Sequence, residues 1–264
     1  NAAMLPLDRT GGKMDLLEIL NEDGSGTGHF KKRSDVHRDG DLHGSAHIWV
    51  IRNLQPDGRF EVLLQQRSPD KDAYPGCLDT SCAGHVDAGE TFLSAAEREL
   101  SEELGIPAHD ELIYLFDQSV SWEAVFHGSR FINNEISRIY TLICAKPAEQ
   151  FIFQKEEISA LCWKDAREVL ESLENGDPRY CVRLPIFKRL MDKVSTMRTY
   201  TIHIGDFASA PEAGSYVGSD EWTYHETYTY FGTEEAAIER AKRYVAAFRE
   251  DVSPYLASVT YWLS

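Results

Sequence analysis

Apolar and polar positions along the chain divide it into short blocks. Residues 16–19 are a brief apolar run, followed by turn-rich residues 21–28 and a polar, charged stretch over 31–44. Residues 46–51 and 60–65 predict two strands, joined by a turn over 53–58 that carries Pro56-Asp57-Gly58. Residues 68–76 predict a loop. Residues 91–104 predict a helix, ended by Gly105 and Pro107. On that helix Phe92, Leu93, Ala96, Leu100 and Leu104 form an apolar stripe able to dock on a sheet. Residues 112–116 and 136–145 are apolar enough for strands, and 165–173 and 185–194 for helices.

Beyond about Met197 the pattern changes. Residues 198–204 and 222–231 are aromatic, β-branched runs, and Trp222, Tyr224, Tyr228 and Tyr230 share one parity. Thr233 can cap a helix with Ile238, Ala241, Val245 and Phe248 on one face, and residues 255–263 read as a closing strand. The result is a small β-β-α-β unit without a catalytic constellation. Its His203 and His225 read as ordinary sheet histidines.

Composition narrows the choices. The formal net charge is −16 over 264 residues, which disfavours nucleic acid and membrane surfaces as partners. No apolar run approaches the ~20 residues that span a bilayer. The five cysteines are odd in number, scattered and without a metal-type CxxC pair, as expected of reduced thiols in a cytoplasmic protein. Asn1-Ala2-Ala3 before Met4 reads as a tag remnant. An anionic substrate on so acidic a chain would need a local patch of cations.

Chemistry concentrates in the segment from Gly84 to Ile106. Glu99, Glu102 and Glu103 stand beside the apolar stripe at i, i+3, i+4, so their carboxylates share one patch. Only Arg98 is on hand to offset them, and like charges at this spacing destabilise a bare helix by ~0.2–0.5 kcal/mol per pair. A divalent cation relieves the repulsion, and hard oxygen ligands suit Mg²⁺. The whole string resembles the Nudix box: Gly84, five residues, Glu90, seven residues, Arg98-Glu99, an apolar residue, any residue, Glu102-Glu103, any residue, Gly105, and an apolar residue. Seven fixed residues at ~7% frequency each coincide in fewer than about one in ten million registers.

The resemblance implies an α+β Nudix fold, a mixed sheet between helices, followed here by the small β-β-α-β unit. The expected boundaries are 1–12 for tag and leader, 13–197 for the Nudix domain and 198–264 for the C-terminal domain. It implies Glu99, Glu102, Glu103 and the Gly84 carbonyl as metal ligands, with Arg98 orienting a glutamate. It also implies hydrolysis of a diphosphate linkage with Mg²⁺, for which Mn²⁺ can substitute. Glu103 or Glu157 would serve as the general base.

Outside the box the chain is similar to the isopentenyl-diphosphate isomerase-like branch, over about residues 15–173. The run from Val62 to Gly76 carries Arg67 and Lys71 where the isomerases hold substrate diphosphate, with Arg33 at a third basic position. The branch also implies a metal site from His37, His43, His85 and Glu135, although Asn133 stands where a second glutamate is expected. The isomerases' catalytic cysteine is replaced by Ala83. Cys82 is one residue early, and in a strand that shift turns a side chain to the other face. The expected function is therefore hydrolysis of a small organic or nucleoside diphosphate derivative, in a chain with a small-molecule substrate and a homodimer as an open option. The alternatives are an isopentenyl-diphosphate isomerase and a non-catalytic Nudix binding module.

Overall fold

The computed structural model describes residues 15–107, 111–207, 222–252 and 259–263. The expected tag and leader lie outside the described residues. The chain divides into two compact units, Asn1–Met191 and Asp192–Ser264.

In the first unit a short hairpin, β1 (Leu16–Leu20) and β2 (Gly26–Lys32), precedes helix α1 (Arg33–Asp39). Gly40 closes that helix at φ 76°, a left-handed value that costs glycine little. Seven strands then form one mixed sheet: β3 (His43–Arg52), β4 (Glu61–Arg67), β5 (Leu78–Asp79), β6 (Cys82–His85), β7 (Ile113–Phe126), β8 (Ser129–Ile143) and β9 (Ile158–Asp165). Strand β3 is central. One edge runs parallel to β8, and the other pairs antiparallel with β6 and, further on, with β4. Strand β7 lies outside β8, while β9 and β5 flank β4.

The period of two along β3 decides what each face meets. Ala46, Ile48 and Val50 are fully buried on one face, in a core with Ala95, Ala96, Leu100 and Leu104 of α2 (Phe92–Leu104). Burying each large aliphatic side chain there is worth roughly 1.5–3 kcal/mol. On the other face Trp49 packs edge-on against Phe187 of a later helix, α4 (Leu184–Ser195), with ring centroids 5.5 Å apart. Between β9 and α4 lies α3 (Ala166–Glu174), capped by the Asp165 carboxylate. This is the expected mixed sheet between helices.

Helix α2 begins one residue later than its sequence pattern suggests, because Thr91 is its cap. Thr91 and Ser94 satisfy each other's backbone N–H groups, and Gly105 closes the far end at φ 61°. A larger difference concerns β7 and β8. The sequence suggested short strands at 112–116 and 136–145, but the ladder continues through residues whose polar side chains mask their pairing. A two-residue turn closes it. His127 and Gly128 both have positive φ (50° and 78°), as the tightest hairpin connections require. Strand β2, helix α1 and the two-residue strand β5 were not foreseen either.

The second unit has an antiparallel sheet, β11 (Trp222–Gly232), β10 (Arg198–Phe207) and β12 (Val259–Leu263), in that order. Helix α5 (Glu234–Val252) packs Ala241 and Val245 on Ile202 and Ile204. The Thr233 hydroxyl accepts the Ala236 N–H at 3.2 Å and caps α5. This is the expected β-β-α-β unit. Residues 253–258, where the last strand was expected to start, and the Phe248 and His225 side chains lie outside the described residues.

Candidate active site

Helix α2 and strand β6 meet at Gly84. A Cβ on Gly84 would fall on the Glu99 carboxylate, so the lack of a side chain on the strand makes room for the acid on the helix. Arg98 organises the rest. Its Nε and one terminal nitrogen donate to the two oxygens of Glu90 at 2.9 and 3.0 Å. The same terminal nitrogen donates to the His85 carbonyl at 2.9 Å. The other donates to Glu99 at 2.6 Å and to Glu102 at 3.3 Å. Such charge-assisted, two-pronged contacts fix geometry as well as charge.

The three acids differ in exposure. The Glu102 side chain is 57% exposed, whereas Glu103 is buried. Burial, followed by the neighbouring Glu99 charge, pushes the Glu103 carboxyl up to about 8; Lys71 and the Ala83 N–H pull the other way. Burial raises Glu99 as well, against the pull of Arg98. This strained set of hard oxygen donors fits a divalent cation such as Mg²⁺.

A second cluster is built from three separate elements. His37 comes from α1, His43 from the start of β3 and His85 from the end of β6, and one donor atom of each lies within 4.8 Å of the others. His37 Nδ1 lies 3.2 Å from the Ile132 carbonyl, and His43 Nδ1 lies 2.9 Å from the Asp41 carbonyl. A carbonyl only accepts, so each Nδ1 carries the hydrogen and leaves a lone pair on Nε2. Those two Nε2 atoms, and that of His85, are buried without a hydrogen-bond partner. Burial holds His37 down to about 4 and lowers His43 and His85 too, so all three are neutral donors at neutral pH. Glu135 is buried nearby, accepts from the Ser137 hydroxyl at 3.0 Å, and lies 3.8 Å from His47 Nε2. Neutral imidazoles with converging lone pairs and an adjacent carboxylate fit a borderline cation.

Beside the histidine cluster lies a cavity of about 490 Å³, walled on the sheet by His47 and Trp49 of β3. His85 and Glu135 reach it from the histidine cluster, and Arg33, Arg67 and Lys71 line it. Arg67 donates to the Ala73 carbonyl at 3.0 Å and to Asp79 at 3.1 Å. Lys71 forms an ion pair with Glu157, so these two candidate residues are in direct contact. Cys82 is elsewhere. It lies fully buried in the core against α2, and burial raises its thiol far above the ordinary range. Its neighbour Ala83 pairs with His47, which lines the cavity.

Sequence reasoning missed several lining residues: Arg183, just before α4, and the aromatic side chains Trp122, Phe126 and Phe131 on the β7–β8 hairpin. The shared parity of Val120, Trp122, Ala124 and Phe126, with Ser121 and Glu123 between them, was the available signal. Tyr74 also lines the cavity, at a strained φ of 51° within the loop over 68–76. That loop touches the hairpin tip through His127 and Asp72, 2.7 Å apart.

The NUDIX domain model matches residues 43–184, and the chain belongs to that family. It is 41% identical to Nudix hydrolase 3 of Arabidopsis thaliana over 168 residues, which is 62% of this chain but only 21% of that protein. This chain thus spans about a fifth of that relative's length. It is 33% identical to an uncharacterised Nudix hydrolase of Clostridium acetobutylicum, covering 61% of this chain and 75% of the relative. An isopentenyl-diphosphate Delta-isomerase of Saccharopolyspora erythraea is 29% identical, over 58% of this chain and 73% of the isomerase. Among the described residues, no helix is long and apolar enough to cross a membrane.

Proposed function

We propose that the chain is a Mg²⁺-dependent hydrolase that cleaves the P–O–P linkage of a small organic diphosphate. The observation carrying this reading is the carboxylate patch at Gly84, in which a buried Glu103 and a Glu99 fixed by Arg98 converge without enough cations to balance them. Glu99, Glu102, Glu103 and the Gly84 carbonyl would hold the metal. When bound, Mg²⁺ neutralises charge on bridging phosphate oxygens and acidifies the attacking water. Arg98 locks the patch by bridging Glu90, Glu99 and the His85 carbonyl. Glu103, the best-buried acid of the patch, is the general base while bound to the metal, whose charge would keep its carboxylate ionised. Glu157 supports it by holding Lys71, and is the second candidate for the base. Arg67, Lys71 and Arg33 receive the phosphates and supply the positive charge that a chain of −16 otherwise lacks. His37, His43 and His85, with Glu135, form a second cation site beside the cavity.

The isomerase alternative draws support from the histidine cluster. It is disfavoured by the placement of Cys82, which faces the core while Ala83 takes the cavity-side position. The intact acids speak against a purely binding role. The test is release of inorganic phosphate or of the organic monophosphate from a panel of organic and nucleoside diphosphates. We expect Mg²⁺-dependent cleavage that EDTA abolishes. Absence of P–O–P cleavage across the panel, or conversion of isopentenyl to dimethylallyl diphosphate instead, would overturn the reading.

A further inference from the structure

The cavity has two chemically distinct halves. One carries Arg33, Arg67 and Lys71, the cations assigned to phosphate. The other is aromatic and comes from the β7–β8 hairpin, away from the box helix. Trp122 and Phe131 stack with ring centroids 5.4 Å apart and planes 28° from parallel. Phe131 stacks in turn on His37, at 4.2 Å and 18°. Phe126 sets its ring nearly perpendicular to both, 6.4 Å from Trp122 and 5.4 Å from Phe131. The three hairpin rings line the cavity and are only half-buried.

Ordinary core packing does not call for this arrangement. The sheet's main core lies on the α2 side, where Tyr140 and Phe151 are buried singly among mostly aliphatic residues. Three large rings clustered at a cavity wall are an expensive surface to leave wet. Two of them share a near-parallel orientation with an imidazole, so a flat group laid along the same direction continues the stack. A saturated chain fills the same volume but gains nothing from ring faces. The cavity, about 490 Å³, is of the size that encloses a small organic ligand.

We propose that the β7–β8 hairpin is the specificity subsite of this enzyme, and that Trp122, with Phe131 and Phe126, selects diphosphates whose leaving group carries a flat π-bearing ring. The proposal rests on the diphosphate reading of the neighbouring cations. Trp122 is the informative position to change, because Phe131 also positions His37.

The test uses non-hydrolysable ligands and the full chain with Mg²⁺, so that binding is read without turnover. Calorimetric titration compares phenylpropyl methylenediphosphonate with its cyclohexylpropyl counterpart, which has equal charge and similar bulk. Methylenediphosphonate alone reports on the phosphate half. Wild type is expected to favour the phenyl ligand by about 3- to 10-fold. Trp122→Leu is expected to erase that preference and leave methylenediphosphonate binding unchanged, and Trp122→Tyr to restore most of it. An adenosine methylenediphosphonate arm tells whether the ring is a nucleobase or something smaller. Equal affinity for the phenyl and cyclohexyl ligands in wild type would overturn the proposal. So would a preference that survives Trp122→Leu, or adenosine-ligand binding tighter than that of methylenediphosphonate and insensitive to the substitution. Failure of all ligands to bind, methylenediphosphonate included, would instead sink the diphosphate reading itself.

Discussion

The carboxylate patch on α2 and the histidine cluster beside it are two candidate cation sites built by opposite means. The patch is local: Glu99, Glu102 and Glu103 fall within five residues of one helix. The cluster is assembled from α1, β3 and β6, and exists only once β6 has paired with β3. The patch announces itself by acids held where charge is costly, because burial and then the Glu99 charge push Glu103 up to about 8. The cluster announces itself by lone pairs, because three buried Nε2 atoms lack partners. Repelling oxygen donors favour a hard ion and waiting nitrogen donors a softer one. One molecule can thus present two cation sites a short distance apart without their competing for the same metal.

The largest effect should come from removing a charge in the patch. Glu103→Gln, and separately Glu102→Gln, is expected to lower Mg²⁺-dependent kcat by about 100- to 1000-fold, the scale of roughly 3–4 kcal/mol of lost charge stabilisation. Circular dichroism should show an intact fold. Near wild-type turnover in both variants at limiting Mg²⁺ would remove the patch from the chemistry and break the comparison.

The cavity cations come next. Arg67→Ala and Lys71→Ala are each expected to cost about 10- to 100-fold in kcat/KM, since a charge-assisted hydrogen bond is worth ~1.5–3 kcal/mol. Steady-state kinetics at saturating Mg²⁺ decides. Values within a factor of two of wild type would reduce both residues to solvated loop charges.

Metal preference sharpens the contrast directly. Zn²⁺ or Co²⁺ at about 100 times its Kd should stabilise the chain by about 2.7 kcal/mol through the histidine cluster. His43→Gln should lose that response in thermal denaturation while the Mg²⁺ response persists. If Zn²⁺ stabilised the variant as well as wild type, the cluster would not be a cation site.

The smallest effect is a pH slope in the metal-free chain. Folding raises the Glu103 carboxyl from 4.5 to about 8, so between those values the folded chain holds the extra proton and stability falls as pH rises. Glu99 acts in the same direction. His37 works oppositely and lower down: its folded value of about 4, against 6.5, removes stability as pH drops from 6.5 towards 4. The window from pH 6.5 to 8 therefore isolates the acids. In EDTA, Tm should fall across it by on the order of 2–4 °C. Glu103→Gln should remove most of that fall, and an unchanged slope in the variant would refute the assignment.

How far the sequence could be read follows from the same contrast. Helix α2, its stripe and its acids were legible because everything that defines them recurs every three or four residues. The strands around Ala46 and Leu63 were legible as short apolar runs bounded by turn residues. The histidines came into view only through a family resemblance, because no local rule brings residues 37, 43 and 85 together. The outer half of the hairpin, beyond the foreseen strands at 112–116 and 136–145, was lost. Its polar positions broke the apolar runs that mark a buried strand, and the turn at His127-Gly128 lacks the usual Asn-Gly signature. The aromatic wall was lost with it, since Phe131 meets Trp122 only when β7 and β8 are zipped to their tips. Glu157 was placed correctly before a strand, but its partner Lys71 lies across a loop whose path no periodicity describes.

Gly84 and Glu99 share the volume of a single side chain, since the acid's carboxylate stands where the glycine's Cβ would be. A change at either position therefore moves the side chain at the other. A methyl group at 84 evicts the carboxylate at 99, and a shorter acid at 99 leaves a hole at 84. A double substitution, Gly84→Ala with Glu99→Asp, is thus the natural route by which such a site would move to a different ligand geometry.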